Sequence, residues 1–337
     1  MSRPSISVVI PAYNAEATIG ACVSALREQQ WPEPFEIIVV DDGSSDRTAD
    51  IARLSGAQVI STSRGRPAAA RNVGIRAASG AIICCTDADC TPHPDWLQQI
   101  TKPFNDDVVA ACKGTYQTRQ PELVARFVQL EYEDKYDLLR RQESIDFIDT
   151  YSAAYRRDVL PASGGFDERF DYLEDQELSF RLAAGGHRML FCESAVVEHL
   201  HSATLRAYLR KKFLIGYWKA QVVRRFPERL KGDSHTPQVM KAQMALAALI
   251  SVAVVLGAIA FALRPSGLNT SSATALIPAA LLGLIFLATT WPFLRKAWHK
   301  DKAVAFASPL LLFGRAVALG AGYAWGLIKP RAEIGAI

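Results

Sequence analysis

The chain has 337 residues, room for one large domain or two ordinary ones, and its net charge of +4 conceals a sharp division. Residues 1–202 carry 20 Lys and Arg against 30 Asp and Glu, residues 203–241 ten against two, and residues 242–337 eight against two. An acidic front of that size excludes a chain that is basic throughout; it leaves an acidic soluble domain, a basic collar, and a C-terminal region that decides what the collar meets.

Taken in order, Ser5–Pro11 is a β-branched run closed by proline, and Ala15–Gln29 carries Ile19, Val23 and Leu26 at helical spacing. Glu36–Val40 repeats the unit as a buried strand, followed by a carboxylate-rich turn and a helix from about Asp46, with Ser45 or Asp46 as its cap. Gln58–Ser61 is a third, shorter strand. The stretch RPAAARNVGIRAASG is a helix ended by Gly80, and Ile82–Cys85 is the next strand. Strands alternating with helices of this length predict an α/β domain built on a doubly wound, mostly parallel sheet, whose ligands bind beyond the carboxyl ends of the strands.

Three of those ends deliver polar residues to one rim: Pro11–Asn14, Asp41–Gly43 and Asp87–Asp89. The last follows an apolar run directly, and carboxylates there need solvent, a partner charge or a cation. An isolated Asp-x-Asp is more often a solvated turn; three such ends behind successive strands favour a site. No Gly-x-Gly-x-x-Gly follows the first strand and no phosphate-cradling Gly-x-x-x-x-Gly-Lys-Ser/Thr is present. A diphosphate on so acidic a rim needs a bridging divalent cation, for which Asp87 and Asp89 offer hard oxygen ligands suited to Mg²⁺ or Mn²⁺. Arg64, Arg66 and Arg71 lie on the preceding loop and helix start.

The stretches SVVIPAYNAEATI, EIIVVDDGSSDRT, AAARNVGIRAASGAIICCTDADC and GGFDERFDYLEDQELSFRL together resemble the successive motifs of family 2 glycosyltransferases with the GT-A fold, over roughly residues 5–200. The resemblance implies a nucleotide-sugar donor, UDP- or GDP-linked, with Pro11, Tyr13 and Asp41 at the nucleoside and Asp42 close by. Arg66 would meet base or diphosphate, Asp87 would reach ribose and metal shell, and Asp89 would bind the metal. It further implies that the Glu174–Asp175 pair supplies the general base, Asp175 acting and Glu174 positioning. Acids in a helix's first turn are also favoured by the helix dipole alone, a placement that predicts an ionised carboxylate. A single base opposite a diphosphate leaving group implies direct, inverting displacement, whereas a phosphate acceptor arrives ionised and needs little base. His199 and His201 occupy the place where many GT-A enzymes contribute a histidine to the metal, His199 being the first choice and His201 the reserve.

The collar at 203–241 mixes basic residues with Leu, Phe, Tyr and Trp, the composition of an amphipathic helix in the headgroup region. Nucleic-acid binding is the rival reading, opposed by the apolar runs beside it. Those runs, in the region 242–337, are Met244–Leu263, Ala273–Leu294 and Ala303–Ile328, each long enough to cross a bilayer. The third carries Arg315 near its middle, so it is either a span with Arg315 turned to its neighbours or a re-entrant or interfacial helix. No signal peptide is visible ahead of the first strand. Lys and Arg are dense in the collar and in the link Arg295–Lys302 but sparse in Arg264–Ser272, which places the acidic domain, residues 1–202, in the cytoplasm of a multi-pass inner-membrane protein. Six cysteines without metal-ligand spacing fit a reducing compartment and buried packing. No Gln-x-x-Arg-Trp motif of processive synthases occurs, which favours transfer of one sugar to a lipid-linked or membrane-associated acceptor. The alternatives are a catalytically silent nucleotide-sugar-binding subunit of a polysaccharide assembly complex and, third, a nucleotidyltransferase.

Overall fold

The computed structural model describes residues 5–262 and 276–331. In chain order it has β1 (Ile6–Ala12), α1 (Ile19–Arg27), β2 (Glu36–Asp41), α2 (Thr48–Leu54), β3 (Gln58–Ser61), α3 (Arg66–Ala77), β4 (Ile82–Cys85), β5 (Cys90–Pro92) and α4 (Trp96–Thr101). There follow β6 (Val109–Gln117), α5 (Leu123–Leu139), β7 (Ala153–Arg156), α6 (Val159–Ala162), α7 (Glu174–Ala184) and β8 (Arg188–His199). Four helices close the chain: α8 (Leu205–Arg225), α9 (Gln238–Ala262), α10 (Ile277–Lys300) and α11 (Lys302–Ile328).

One eight-stranded sheet runs in the order β3-β2-β1-β4-β7-β6-β8-β5. Its first half is parallel, as the alternating pattern predicts. Its second half is mixed: β7 is antiparallel to β4 and β6, β8 is parallel to β6, and β5 is antiparallel to β8. Strands β1, β2 and β4 read as unbroken apolar runs because both faces are covered. Val8, Ile10 and Val39 pack into one core layer, while Val9, Ile38 and Val40 pack into the other. Pro11 sits in a central strand without cost to the ladder, since the pairing with β4 ends at Val9. All six cysteines are free and buried in these layers.

The first helix starts four residues later than the periodicity predicts. Ala15 and Glu16 are instead held by the next turn, their backbone N–H groups donating to Thr48 Oγ1 at 2.7 Å and Asp46 Oδ2 at 3.1 Å. Asp46 Oδ1 also accepts from the Thr48 N–H at 3.0 Å, so the carboxylate after the second strand staples two turns of the rim together.

The three apolar runs form α9, α10 and α11, each long and apolar enough to cross a membrane. The link Arg264–Ser272 and the start of the second run lie outside the described residues. The collar is not an isolated surface helix. Its main helix, α8, runs along α11 with the two backbones touching: a Cβ on Gly216 would overlap the Leu319 carbonyl, and one on Gly322 or Gly326 the carbonyls of Phe213 or Tyr217. Arg315 is buried, donating to Glu131 Oε1 on α5 at 2.7 Å and to Gln243 Oε1 on α9 at 2.5 Å. Glu131 also takes Lys212 of α8 at 3.1 Å and the Tyr208 hydroxyl at 3.0 Å. A charged knot thus joins the sheet domain to three of the C-terminal helices, and Phe127, Tyr208, Phe286, Phe293 and Leu312 pack around it.

Candidate active site

Beyond the carboxyl ends of β1, β2 and β4 lies a cavity of about 1120 Å³, and the C-terminal helices close its far side. Pro11, Tyr13, Asp42, Arg66, Asp87, Asp89, Glu174, Asp175 and His199 all line it. Asp41 does not: it is buried, and its Oδ1 accepts from the Ser44 N–H at 3.2 Å, which folds the turn. Asp42 holds the facing loop by accepting from the backbone N–H groups of Gly65 at 2.7 Å and Arg66 at 2.8 Å. Tyr13 is exposed, with the Arg64 guanidinium 3.5 Å from its ring centroid. Arg66 reaches across to Asp171 at 2.6 Å.

Among the described residues, three non-glycine positions have positive φ: Asn14 at 47°, Arg66 at 77° and Leu173 at 64°. All three line this cavity. Strain of this kind persists where surrounding structure dictates a special backbone path, and here each instance aims a rim segment at one space.

Asp89 and His199 are brought together by sheet register. Cys90 of β5 lies opposite His199, the last residue of β8, so the preceding Asp89 places its Oδ2 3.8 Å from His199 Nε2. The buried Cys90 thiol is close to both, but burial keeps it protonated, a poor ligand. Burial also lowers the His199 pKa, so its imidazole is neutral. Its tautomer follows from a chain of bonds. Gln129 Nε2 donates to the Tyr116 carbonyl at 3.1 Å, which turns Gln129 Oε1 toward His201 Nε2, also at 3.1 Å. His201 is neutral, burial having pushed its pKa to about 3. It therefore carries its proton on Nε2 and offers a lone pair at Nδ1. His199 Nδ1, 3.2 Å away, donates to that lone pair and leaves its own Nε2 lone pair facing Asp89. Two ligand bonds of about 2.1 Å each can bridge such a gap, so the pair fits a hard divalent cation with one imidazole. His201 stands behind the site as the group that orients His199.

Asp87 turns the other way. Arg71, buried on α3, donates to Asp87 Oδ1 at 2.7 Å and to Glu174 Oε1 at 2.6 Å. One guanidinium thus ties Asp87 to the helix that carries Asp175. Asp175 Oδ1 accepts from the Gln176 N–H at 2.7 Å. The helix start does not keep this carboxyl acidic, as its position alone suggests. Burial first, then Glu174 and Asp149, raise its pKa well above the usual carboxylate range, and the opposing pull of Arg71 is smaller. A carboxyl raised by burial and like charges is what a proton acceptor working near neutrality requires.

Residues 7–163 match the family described as Glycosyl transferase family 2. The matched stretch is just under half of the chain and holds the rim residues from Pro11 to Asp89. The glycosyltransferase AglE of Haloferax volcanii is 29% identical over 229 residues, which cover 65% of this chain and 74% of that protein. The O-antigen chain rhamnosyltransferase WbaN of Salmonella anatum is 28% identical over 229 residues, 64% of this chain and 73% of that one. In fold, a mannosyltransferase from Pyrobaculum calidifontis, solved in complex with GDP-Man and Mn²⁺, superposes with a TM-score of 0.63 at 21% identity, over 98% of this chain and 89% of that one. The GT-A fold and the glycosyltransferase class expected from the sequence are borne out. Sequence reasoning placed Arg71 near the rim without giving it a role. It missed Gln129 altogether, because that residue belongs to no local pattern.

Proposed function

We propose that this family 2 glycosyltransferase moves one sugar, with inversion, from a UDP- or GDP-sugar to a lipid-linked or membrane-associated acceptor at the cytoplasmic face of the inner membrane. The observation that carries this reading is the shared cavity: Asp89 and His199 at one end, Asp175 facing them, and α8, α9 and α11 closing the space. Tyr13, Arg64 and Asp42 frame the nucleoside end. Asp89 and His199 would hold Mn²⁺ or Mg²⁺, which when bound neutralises charge on the diphosphate. Asp175 receives the proton of an acceptor hydroxyl as that oxygen attacks the anomeric carbon from the face opposite the nucleotide. Arg71 and Glu174 hold Asp175 in line.

Of the three apolar helices, α9 and α10 are the better spans: their faces carry exposed Leu249, Val252, Leu256, Leu281, Leu284 and Ile285. Helix α11 is 44% buried over its most apolar stretch, against 17% and 22% for the other two, and it lies along the basic α8. It reads as an interfacial helix that carries the catalytic domain on the membrane surface. An interfacial placement suits Arg315, whose guanidinium meets Glu131 and Gln243 rather than lipid.

The test is release of nucleoside diphosphate by purified protein in nanodiscs, screened over UDP- and GDP-sugars with Mn²⁺ or Mg²⁺ and a membrane lipid extract. Release from one donor, lost on chelation and in Asp89→Ala, supports the reading. Donor binding without release under any condition would return the silent-subunit alternative.

A further inference from the structure

The cavity has two unlike walls, and the donor accounts for only one. The sheet side contributes Asp42, Asp87, Asp89, Glu174 and Asp175. From His199 onward the lining contains no acid at all, only cations, polar groups and apolar side chains. Several of those cations are matched elsewhere, Lys212 by Glu131 and Lys219 by Asp233. Lys211 on α8 has no carboxylate within ion-pair distance among the described residues, and neither has Lys135, which lines the cavity from α5. Lys135 Nζ meets only His235 Nε2, at 2.9 Å, and the face of Tyr132. Past this cluster the lining turns apolar, with Ile215 and Val223 of α8, Met240 and Met244 of α9, and Leu319 of α11.

We propose that the acceptor is a long-chain lipid phosphate, its phosphate seated on Lys135 with Lys212 beside it and Lys211 on the side toward Asp89, and its hydrocarbon chain running between α8, α9 and α11. The inference rests on the transfer reading above and names its acceptor class. Charge complementarity selects the occupant: a neutral glycolipid would fill the apolar limb but leave the cations unanswered, and a soluble anion would answer the cations but not the limb. Burial and the neighbouring Lys212 push the Lys135 pKa down to about 7 against the weaker pull of Asp149 and Glu131, neither of which touches it, so the ammonium has room for a contacting negative charge. A bound phosphate supplies that charge. With a lipid monophosphate, a phosphate oxygen attacks the anomeric carbon, the bond from that carbon to the donor diphosphate breaks, and nucleoside diphosphate leaves with the electron pair. With a lipid diphosphate that already carries a sugar, a hydroxyl of that sugar attacks in the same way and its proton passes to Asp175.

The experiment uses the full chain in zwitterionic nanodiscs and titrates phytanyl phosphate, phytanol and an isoprenyl diphosphate-linked N-acetylglucosamine, following binding by native mass spectrometry and transfer from the active donor. Phytanyl phosphate or the diphosphate-linked sugar should bind about tenfold or more tightly than phytanol, as charge-assisted hydrogen bonds require. Lys135→Met and the exposed Lys211→Ala should each erase most of that preference, with thermal unfolding checking that both variants fold. Which lipid accepts sugar distinguishes the two phosphate sources. Equal binding of phytanol, or unchanged preference in both lysine variants, overturns the proposal. Transfer to phytanol or another neutral lipid would also overturn it while sustaining the glycosyltransferase reading; that reading itself fails only if no donor releases nucleoside diphosphate with any acceptor.

Discussion

The two walls of the cavity are built by different physics. The sheet wall is local: short turns at strand ends, stiffened by Asp42 on the Gly65 and Arg66 amides and by Asp46 on Thr48, present carboxylates whose neighbours in space are close neighbours of the rim. The helical wall is assembled from afar, by backbones of α8 and α11 in contact at glycines and by the Glu131–Arg315 pair, whose members lie 184 positions apart. A wall of turns fixes atoms to within a hydrogen bond, as chemistry on a sugar nucleotide demands. A wall of packed helices is held by side-chain and backbone contacts between elements far apart in the chain, and on the proposed reading it is the side that meets the acceptor. Perturbations on the first should therefore stop turnover outright, while those on the second should alter acceptor use first.

The largest effect belongs to Asp175. With a hydroxyl acceptor, Asp175→Asn should lower turnover by about 10²- to 10⁴-fold, the usual contribution of a positioned base. The same variant should be more stable than the parent at neutral pH. A carboxyl whose folded pKa is raised keeps its full stability below the ordinary value of 3.8 and loses it as pH rises through the folded value. Asparagine has no such loss, so the gap in melting temperature should widen from about pH 4 to about pH 8. Equal melting at both pH values would mean that Asp175 is solvated and no base.

Arg71 comes next. Arg71→Met strands the buried Glu174 and leaves the half-buried Asp87 to solvent, and should cost about 3 kcal/mol of stability by denaturant titration, the low end for a broken buried pair. Arg71→Lys keeps a charge but cannot fork to both carboxylates, so it should recover fold without recovering donor turnover. A fully active lysine variant would show that the bridge between the donor side and α7 is dispensable.

What the sequence discloses divides between contiguous motifs and partners that only the fold brings together. Pro11–Asn14, Asp42, Asp87–Asp89 and Glu174–Asp175 are legible because each is a contiguous motif at the end of an element whose period is plain. Strands β5, β6 and β7 were not: β6 carries Lys113, which reads as a solvent-facing residue until its ion pair with Asp149, 36 positions on, is seen. Arg71 looks like any cation on a helix start, and its two partners are 16 and 103 positions away. Which histidine faces Asp89 was open in the sequence because two residues along a strand differ only in register, and the register is set by β5 pairing with β8. Gln129 carries no motif signal at all, and only the path of α5 past His201 gives it a role.

That role can be measured. Gln129→Leu removes the acceptor that holds the His201 proton on Nε2, so the His199 Nε2 lone pair is no longer enforced. Loss of a group that orients a ligand imidazole typically weakens metal binding 10- to 100-fold. Mn²⁺ affinity followed by electron paramagnetic resonance should fall within that range without a change in melting of the apo protein large enough to account for it. Unchanged Mn²⁺ affinity would leave His199 oriented by stacking on Tyr116 alone, their ring centroids being 4.9 Å apart.

The smallest effect on donor chemistry should come from Gly322, and it tests the helical wall directly. Gly322 faces the Phe213 carbonyl of α8, so even one methyl must push the two helices apart. Overpacking of this kind costs about 1–3 kcal/mol, taken from the pairing of α8 with α11 rather than from the sheet. Gly320, two residues away, meets nothing nearer than the Met244 carbonyl at 4.0 Å, so Gly320→Ala should be neutral or slightly stabilising through helix propensity. If the helical wall carries the acceptor, Gly322→Ala should raise the KM for a lipid acceptor while donor affinity stays near the parent's, and Gly320→Ala should change neither. Should Gly322→Ala weaken donor binding as much as acceptor use, the two walls would form one rigid unit, and the division of labour drawn between them would fall.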